Sequence, residues 1–167
     1  MIRRKFDIEF KRIEEEHIDK LHEIYNYYVE NTTVTYHIGA VSRSNFKKIV
    51  NIDAPYESYA IIVDKEVCGY VLFNKWKSRQ AFDRSAEVTV YLSEGYDGRG
   101  IGSRAVRFIE ERAKKAGICT LVSLICGENM ASIKLFEKND YIKCAHFKNV
   151  GEKFGRLLDL VCYEKEI

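Results

Sequence analysis

Apolar residues along this chain recur at two different spacings, and the switches between them mark out its elements. From residue 5 to 13, KFDIEFKRI places Phe6, Ile8 and Phe10 on one face at period two, predicting a first strand. Between Glu14 and Glu30, Ile18, Leu21, Tyr25, Tyr28 and Val29 recur at three- and four-residue intervals, the pattern of an amphipathic helix. SRSNFKKIVN (42–51) offers a serine cap and an apolar stripe of Phe46, Ile49 and Val50, predicting a second helix that ends before the single proline, Pro55. YAIIVDKEVCGYVLFN reads as a hairpin turning around Asp64 to Glu66. SAEVTVYLS predicts a strand, SRAVRFIEERAKKAG a helix closed by Gly117, and CTLVSLIC a fully apolar strand. NMASIKLFEKN predicts a short helix, and YIKCAHFKNV and FGRLLDLVCYEKEI a last pair of strands with Gly151 between them. No repeat, low-complexity run or proline-rich linker breaks this order. The expectation is one α/β domain over residues 1–167, built on a mixed sheet.

Composition narrows the function classes. With 167 residues, 46% of them hydrophobic, the chain can bury one sizeable core. Its net charge is only +2 and no basic stripe runs through it, so a nucleic-acid partner is not expected. No stretch approaches the roughly 20 apolar residues of a membrane span, and no apolar segment follows the charged start MIRRKFDIEF. A soluble, cytoplasmic protein without a membrane partner is the expectation. The cysteines at 68, 119, 126, 144 and 162 are odd in number and unpaired at metal-ligand or C-x-x-C spacing, as free thiols in a reducing compartment would be. His17, His22, His37 and His146 show no ligand spacing either, so no metal is expected.

The candidate chemistry lies in SEGYDGRGIG (93–102), four glycines between a strand and a helix. Such a turn brings backbone N–H groups close to an anion, and the helix N-terminus adds partial positive charge. A P-loop would end in Gly-Lys-Ser/Thr, whereas Gly102 is followed by Ser103 and Arg104. Gly100, Gly102 and Ala105 satisfy G-x-G-x-x-A, with Glu128 about where a ribose-binding acid belongs. That dinucleotide motif, however, wants its first glycine at the strand end, and seven residues separate Leu92 from Gly100.

The third candidate ligand is acyl-coenzyme A. YLSEGYDGRGIGSRAV resembles motif A of the GNAT superfamily of acyl-CoA-dependent N-acyltransferases, a strand running into (Q/R)-x-x-G-x-(G/A) at a helix start. Asp97, Gly100 and Gly102 take those positions, Asp97 in place of the usual Arg or Gln. NMASIKLFEKNDY resembles motif B, with Asn129, Ser132, Leu135 and Tyr141 in register and Asp140 where glycine is usual. YNYYVENTTVTY, WKSRQAFDRSAEVTVYL and VGEKFGRLLDLV further resemble segments of the phosphinothricin and methionine sulfoximine/sulfone N-acetyltransferases, so that the likeness covers residues from about 20 to the end.

The resemblance implies a central, mostly antiparallel sheet flanked by about four helices, acetyl-CoA as co-substrate, and direct acetyl transfer to the α-amino group of a small amino-acid-like acceptor. An N-terminal or polyamine acetyltransferase and a catalytically weak acyl-CoA-binding module are the alternatives. Glu87, Thr89 and Tyr91 share one face of their strand, and the family counterpart of Glu87 is the proposed general base. Backbone at Val90, Tyr91 and Leu92 is expected to meet the thioester and pantetheine. Gly98, Arg99, Gly100, Ile101, Gly102 and Ser103 are expected at the pyrophosphate, and Asn129, Ser132 and Phe136 along the coenzyme arm. Phe136 stands where many relatives have a tyrosine, or in this branch often a histidine, near the sulfur. For the acceptor, Arg79 could grip a carboxylate with two parallel hydrogen bonds. Gln80, Ala81, Phe82 and Tyr36 are expected to line its pocket. The family's usual homodimer brings the GEKFGRLLDL segment near the partner's site, with Leu157 in place of a common tryptophan.

Overall fold

The computed structural model describes residues 6–167. In chain order the elements are β1 (Ile8–Arg12), α1 (Glu15–Asn31), α2 (Arg43–Val50), β2 (Glu57–Val63), β3 (Glu66–Lys75), β4 (Ser85–Leu92), α3 (Ile101–Lys115), β5 (Thr120–Cys126), α4 (Met130–Lys138), β6 (Ile142–Lys153) and β7 (Arg156–Glu166). A single 3-10 turn, Gln80–Phe82, precedes β4. The strands form one sheet in the order β1-β2-β3-β4-β5-β7-β6. Every pairing in it is antiparallel except β4 with β5, which α3 connects as a crossover. Lys5, the start of the predicted first strand, lies outside the described residues.

The sheet separates two cores. On one side, Val71, Phe73, Ala86, Val88 and Leu121 pack against Ile101, Ala105 and Ile109 of α3 and Ile133 and Phe136 of α4. On the other, Ala60, Tyr70 and Leu72 pack against Ile18, Leu21 and Tyr25 of α1 and Phe46 of α2. The central strands are therefore covered on both faces, which is why β2 and β3 read as continuous apolar runs.

Local signals fix the helix ends. Ser42 Oγ accepts from Asn45 N at 3.3 Å and caps α2. Glu14 and His17 form a reciprocal box at the start of α1, with Glu14 N donating to His17 Nδ1 at 3.0 Å. Most boundaries shift by one to three residues from expectation, and two of the shifts have a clear local cause. The helix α3 begins at Ile101, two residues before the predicted start, because Gly100 serves as its N-cap. The last turn falls at Phe154 and Gly155, both left-handed, and Gly151 lies within β6 opposite Leu158. Glycine at 151 serves close approach there: a Cβ would stand 3.2 Å from the Tyr36 ring. Among the described residues, no helix is long and apolar enough to cross a membrane.

Candidate active site

The sheet opens at its centre. Parallel pairing of β4 with β5 is confined to Ser85–Thr120, Ala86–Leu121 and Glu87–Val122. Each strand then follows its outer neighbour. β4 stays with β3 through Gly69 opposite Leu92, where a Cβ on residue 69 would fall 2.1 Å from Tyr91 O. Tyr28 Oη donates to Leu92 O at 2.6 Å, and Ser93 N donates to Cys68 O at 2.7 Å, tying down the same end. β5 stays with β7 as far as Cys126 opposite Leu160, and Gly127 N continues the contact to Asp159 O at 2.9 Å. The result is a wedge in which the inward-facing backbone groups of Val88–Leu92 have no strand partner.

A cleft of about 280 Å³ occupies this wedge, lined by both arms of the sheet, by Tyr28 and Val34 on one side, and by Ser132, Leu135 and Phe136 of α4 on the other. Val90, Tyr91 and Leu92 line it, as do Asn129, Ser132 and Phe136. Asn129 also caps α4, its Oδ1 accepting from Ser132 N at 3.1 Å. Phe136 is buried and meets the Tyr141 ring edge-on at 4.9 Å. Tyr141 lies behind Phe136, outside the lining, and its hydroxyl is buried without a hydrogen-bond partner. It therefore does not reach into the cleft.

Asp97 carries the lining into the glycine loop. Gly98 and Gly100 are left-handed, at φ of 70° and 79°. With glycine at the N-cap, no side chain caps α3, and the N–H groups of Ile101, Gly102 and Ser103 are left without intrahelical acceptors. The side chains here are engaged elsewhere. Ile101 is fully buried, Ser103 Oγ accepts from Asn139 Nδ2 at 3.1 Å, and the Arg99 guanidinium lies 5.3 Å from the Phe6 ring centroid. What this segment offers a ligand is backbone N–H and the positive end of a helix. Glu128, weighed as a ribose ligand, instead pairs with Arg156 and accepts from Thr33 Oγ1 at 2.8 Å.

Glu87 stands at the vertex of the wedge, the last β4 residue paired to β5. Its side chain is on the face opposite Val88 and outside the cleft lining. Burial raises its pKa, and the Lys77 ammonium partly offsets this. Arg79, Gln80, Ala81 and Phe82 are exposed and also outside the lining, with Phe82 edge-on to Trp76 at 5.5 Å. Tyr36 donates through Oη to Asp159 O at 2.9 Å, which places it on the β6–β7 side of the opening.

Several groups around the opening lie in segments that carry the family likeness but were not among the expected site residues. Lys153 is buried, its Nζ donating to Thr35 O at 2.9 Å, and burial lowers its pKa. Tyr28 and Val34 wall the cleft, and burial pushes the Tyr28 hydroxyl up to about 12. A lysine in a polar-looking strand and tyrosines on a helical stripe look like ordinary surface and core until their neighbours are known.

Comparison with known proteins agrees with this architecture. The sequence profile of the Acetyltransferase (GNAT) family matches residues 21–141. L-amino acid N-acyltransferase MnaT of Escherichia coli is 30% identical over 149 residues, covering 87% of this chain and 86% of the relative. The L-methionine sulfoximine/L-methionine sulfone acetyltransferase of Salmonella typhimurium is 30% identical over 153 residues, with the same coverage of 87% and 86%. Among solved structures, the Salmonella typhimurium protein yncA with its cofactor acetyl-CoA superposes with a TM-score of 0.85 at 26% identity, covering 97% of this chain and 94% of that one. With a split mixed sheet, a glycine-capped crossover helix and a profile match over most of its length, the chain belongs to the acetyltransferase (GNAT) family.

Proposed function

We propose that this acetyltransferase moves the acetyl group of acetyl-CoA to the α-amino group of a small amino-acid-like acceptor, within a single domain spanning residues 1–167. The observation that carries the reading is the wedge itself: unpaired backbone along Val88–Leu92, a glycine-capped helix start beside it, and a half-buried carboxylate at its vertex. Relatives named for L-amino acids and for methionine sulfoximine support an acceptor of that size and charge.

The parts divide the work as follows. Backbone N–H groups of Ile101, Gly102 and Ser103, with Gly98 and Gly100 leaving room, hold the pyrophosphate. Unpaired groups of Val90 to Leu92 hold the pantetheine like an added strand, and an N–H there polarises the thioester oxygen. Asn129, Ser132 and Phe136 form the opposite wall. Glu87 removes the proton from the acceptor's ammonium, which frees the nitrogen lone pair to attack the thioester carbon. A carboxyl whose pKa burial has raised is suited to that exchange at neutral pH. Arg79 receives the acceptor's carboxylate, while Gln80, Ala81, Phe82 and Tyr36 surround its side chain. Phe136 has no proton to donate, so the departing thiolate takes one from solvent.

A homodimer is part of the same reading. Phe147, Val150, Phe154 and Leu157 are exposed on the outer β6–β7 hairpin, a surface that a second copy would cover.

The test is thiol release from acetyl-CoA with methionine sulfoximine, phosphinothricin and a panel of free amino acids. Saturable turnover on the sulfoximine or phosphinothricin, with the N-acetylated product detected by mass, is the expected result. Coenzyme binding without turnover on any of these would reject the acceptor class.

A further inference from the structure

Three buried side-chain polar atoms among the described residues lack a hydrogen-bond partner: Tyr70 Oη, Tyr141 Oη and Asn74 Oδ1. Asn74 stands apart because of its position in the sheet. On β3 it is the direct antiparallel partner of Glu87 on β4. Directly opposed residues point to the same face, and their Cβ atoms stand about 4.5–5.5 Å apart. The shared face is evident four positions along each strand, where the opposed rings of Tyr70 and Tyr91 stack at 5.3 Å. A carboxamide and a carboxyl so placed are within reach of each other.

For the orphan atom, Asn74 Oδ1, the carboxyl is complementary in only one protonation state. An ionised carboxylate accepts hydrogen bonds and cannot satisfy Asn74 Oδ1, whereas a protonated carboxyl has an O–H to donate. A buried acceptor without a donor is costly, so an orphan oxygen facing this carboxyl is matched to its neutral form. Asn74 also borders an open pocket of about 480 Å³ lined by Lys48, Asp53 and Lys75, but its Oδ1 is buried away from the solvent there.

We propose that Asn74 is a positioning residue for Glu87, whose newly protonated carboxyl donates to Asn74 Oδ1 after taking the proton from the acceptor amine. The inference rests on the reading of Glu87 as general base. In this step one N–H bond breaks and one O–H bond forms, and nitrogen keeps the electron pair for attack. Asn74 thus stabilises the product of the proton transfer and fixes which carboxyl oxygen carries the proton. The other groups facing Glu87 are Lys77, which favours its charged form, and Tyr91 and Cys162, which are neutral at physiological pH.

The test is the pH dependence of kcat/KM for the acceptor in wild type, Asn74→Leu, Asn74→Ala and Glu87→Gln, with unfolding midpoints taken alongside. A hydrogen bond to the neutral form raises a carboxyl pKa, so its loss lowers it. The acid limb should move down by about one pH unit in Asn74→Leu, the worth of one hydrogen bond, while acetyl-CoA affinity stays at the wild-type value. Asn74→Ala removes the same acceptor and serves if the leucine variant does not fold. An acid limb that stays in place in both, while Glu87→Gln abolishes it, overturns the role of Asn74 and leaves the base intact. An acid limb that survives in Glu87→Gln removes the base, and this proposal with it.

Discussion

Replacing Gly100 by alanine separates the backbone cost of the glycine cradle from its role in binding. Gly100 is the N-cap of α3 at φ 79°, and an ideal Cβ there meets nothing within 4 Å. The stability cost of Gly100→Ala is then purely conformational, about 1–2 kcal/mol for an L residue in the left-handed region. For a domain of this size that lowers the unfolding midpoint by roughly 2–8 °C. Gly117 is a matched control: it is left-handed at φ 86°, equally open, and sits just past the other end of α3. At 1.5 Å per residue the two positions lie about 25 Å apart. Gly100→Ala and Gly117→Ala should therefore lose similar stability. Only the first puts a methyl group where the account seats a phosphate, and losing one charge-assisted hydrogen bond weakens binding about tenfold or more. Calorimetric titration with coenzyme A, paired with thermal melts, reads both effects. Equal coenzyme affinity in the two variants would refute the assignment of the pyrophosphate to this turn.

Phe136→Ala should cost about 3–5 kcal/mol, as a buried aromatic truncation does, whereas Phe136→Tyr should melt within a few degrees of wild type; denaturant unfolding checks both. Glu57 supplies a pH dependence of stability. Burial works to raise its pKa, but the Arg112 fork at 2.7 and 2.9 Å, the Tyr59 hydroxyl and Arg12 outweigh it and leave the pKa lowered. A depressed folded pKa stabilises above the unfolded value of about 4.3 and is lost as pH falls through the folded one. The stability gap between wild type and Glu57→Gln should thus narrow as pH drops from 6 to 3, measured by urea unfolding at each pH. Wild type should sediment as a dimer, and a paired Val150→Glu, Leu157→Glu variant, both exposed apolar positions on the outer hairpin, as a monomer.

The elements that could be read from sequence are those whose causes are local. The Ser42 cap, the turn at Asp64 and Lys65, and the stripe of α1 each depend on residues a few positions apart, and each appears where the pattern put it. The turn between β6 and β7 was misplaced for a physical reason. Gly151 looked like a break, but its missing side chain accommodates the Tyr36 ring from over a hundred residues away, while Phe154 takes the left-handed turn position. The wedge could not be read from either strand alone, since it exists because β4 and β5 each hold a different neighbour. Motif residues marked its rim at Glu87, Gly100 and Asn129. Tyr28, which walls it, and Asn74 and Lys153, which lie outside its lining, could not be singled out within their segments, because their importance comes from register and burial.

The central claim is that the opening between β4 and β5 is where the coenzyme lies and where Glu87 meets the acceptor. A crystal structure with acetyl-CoA tests it most directly. Pantetheine should run along Val88–Leu92, with phosphates on the N–H groups of Ile101 to Ser103 and the thioester at the vertex end of the wedge, nearest Glu87. Coenzyme bound elsewhere on the sheet, or a thioester out of reach of an amine held beside Glu87, would contradict it.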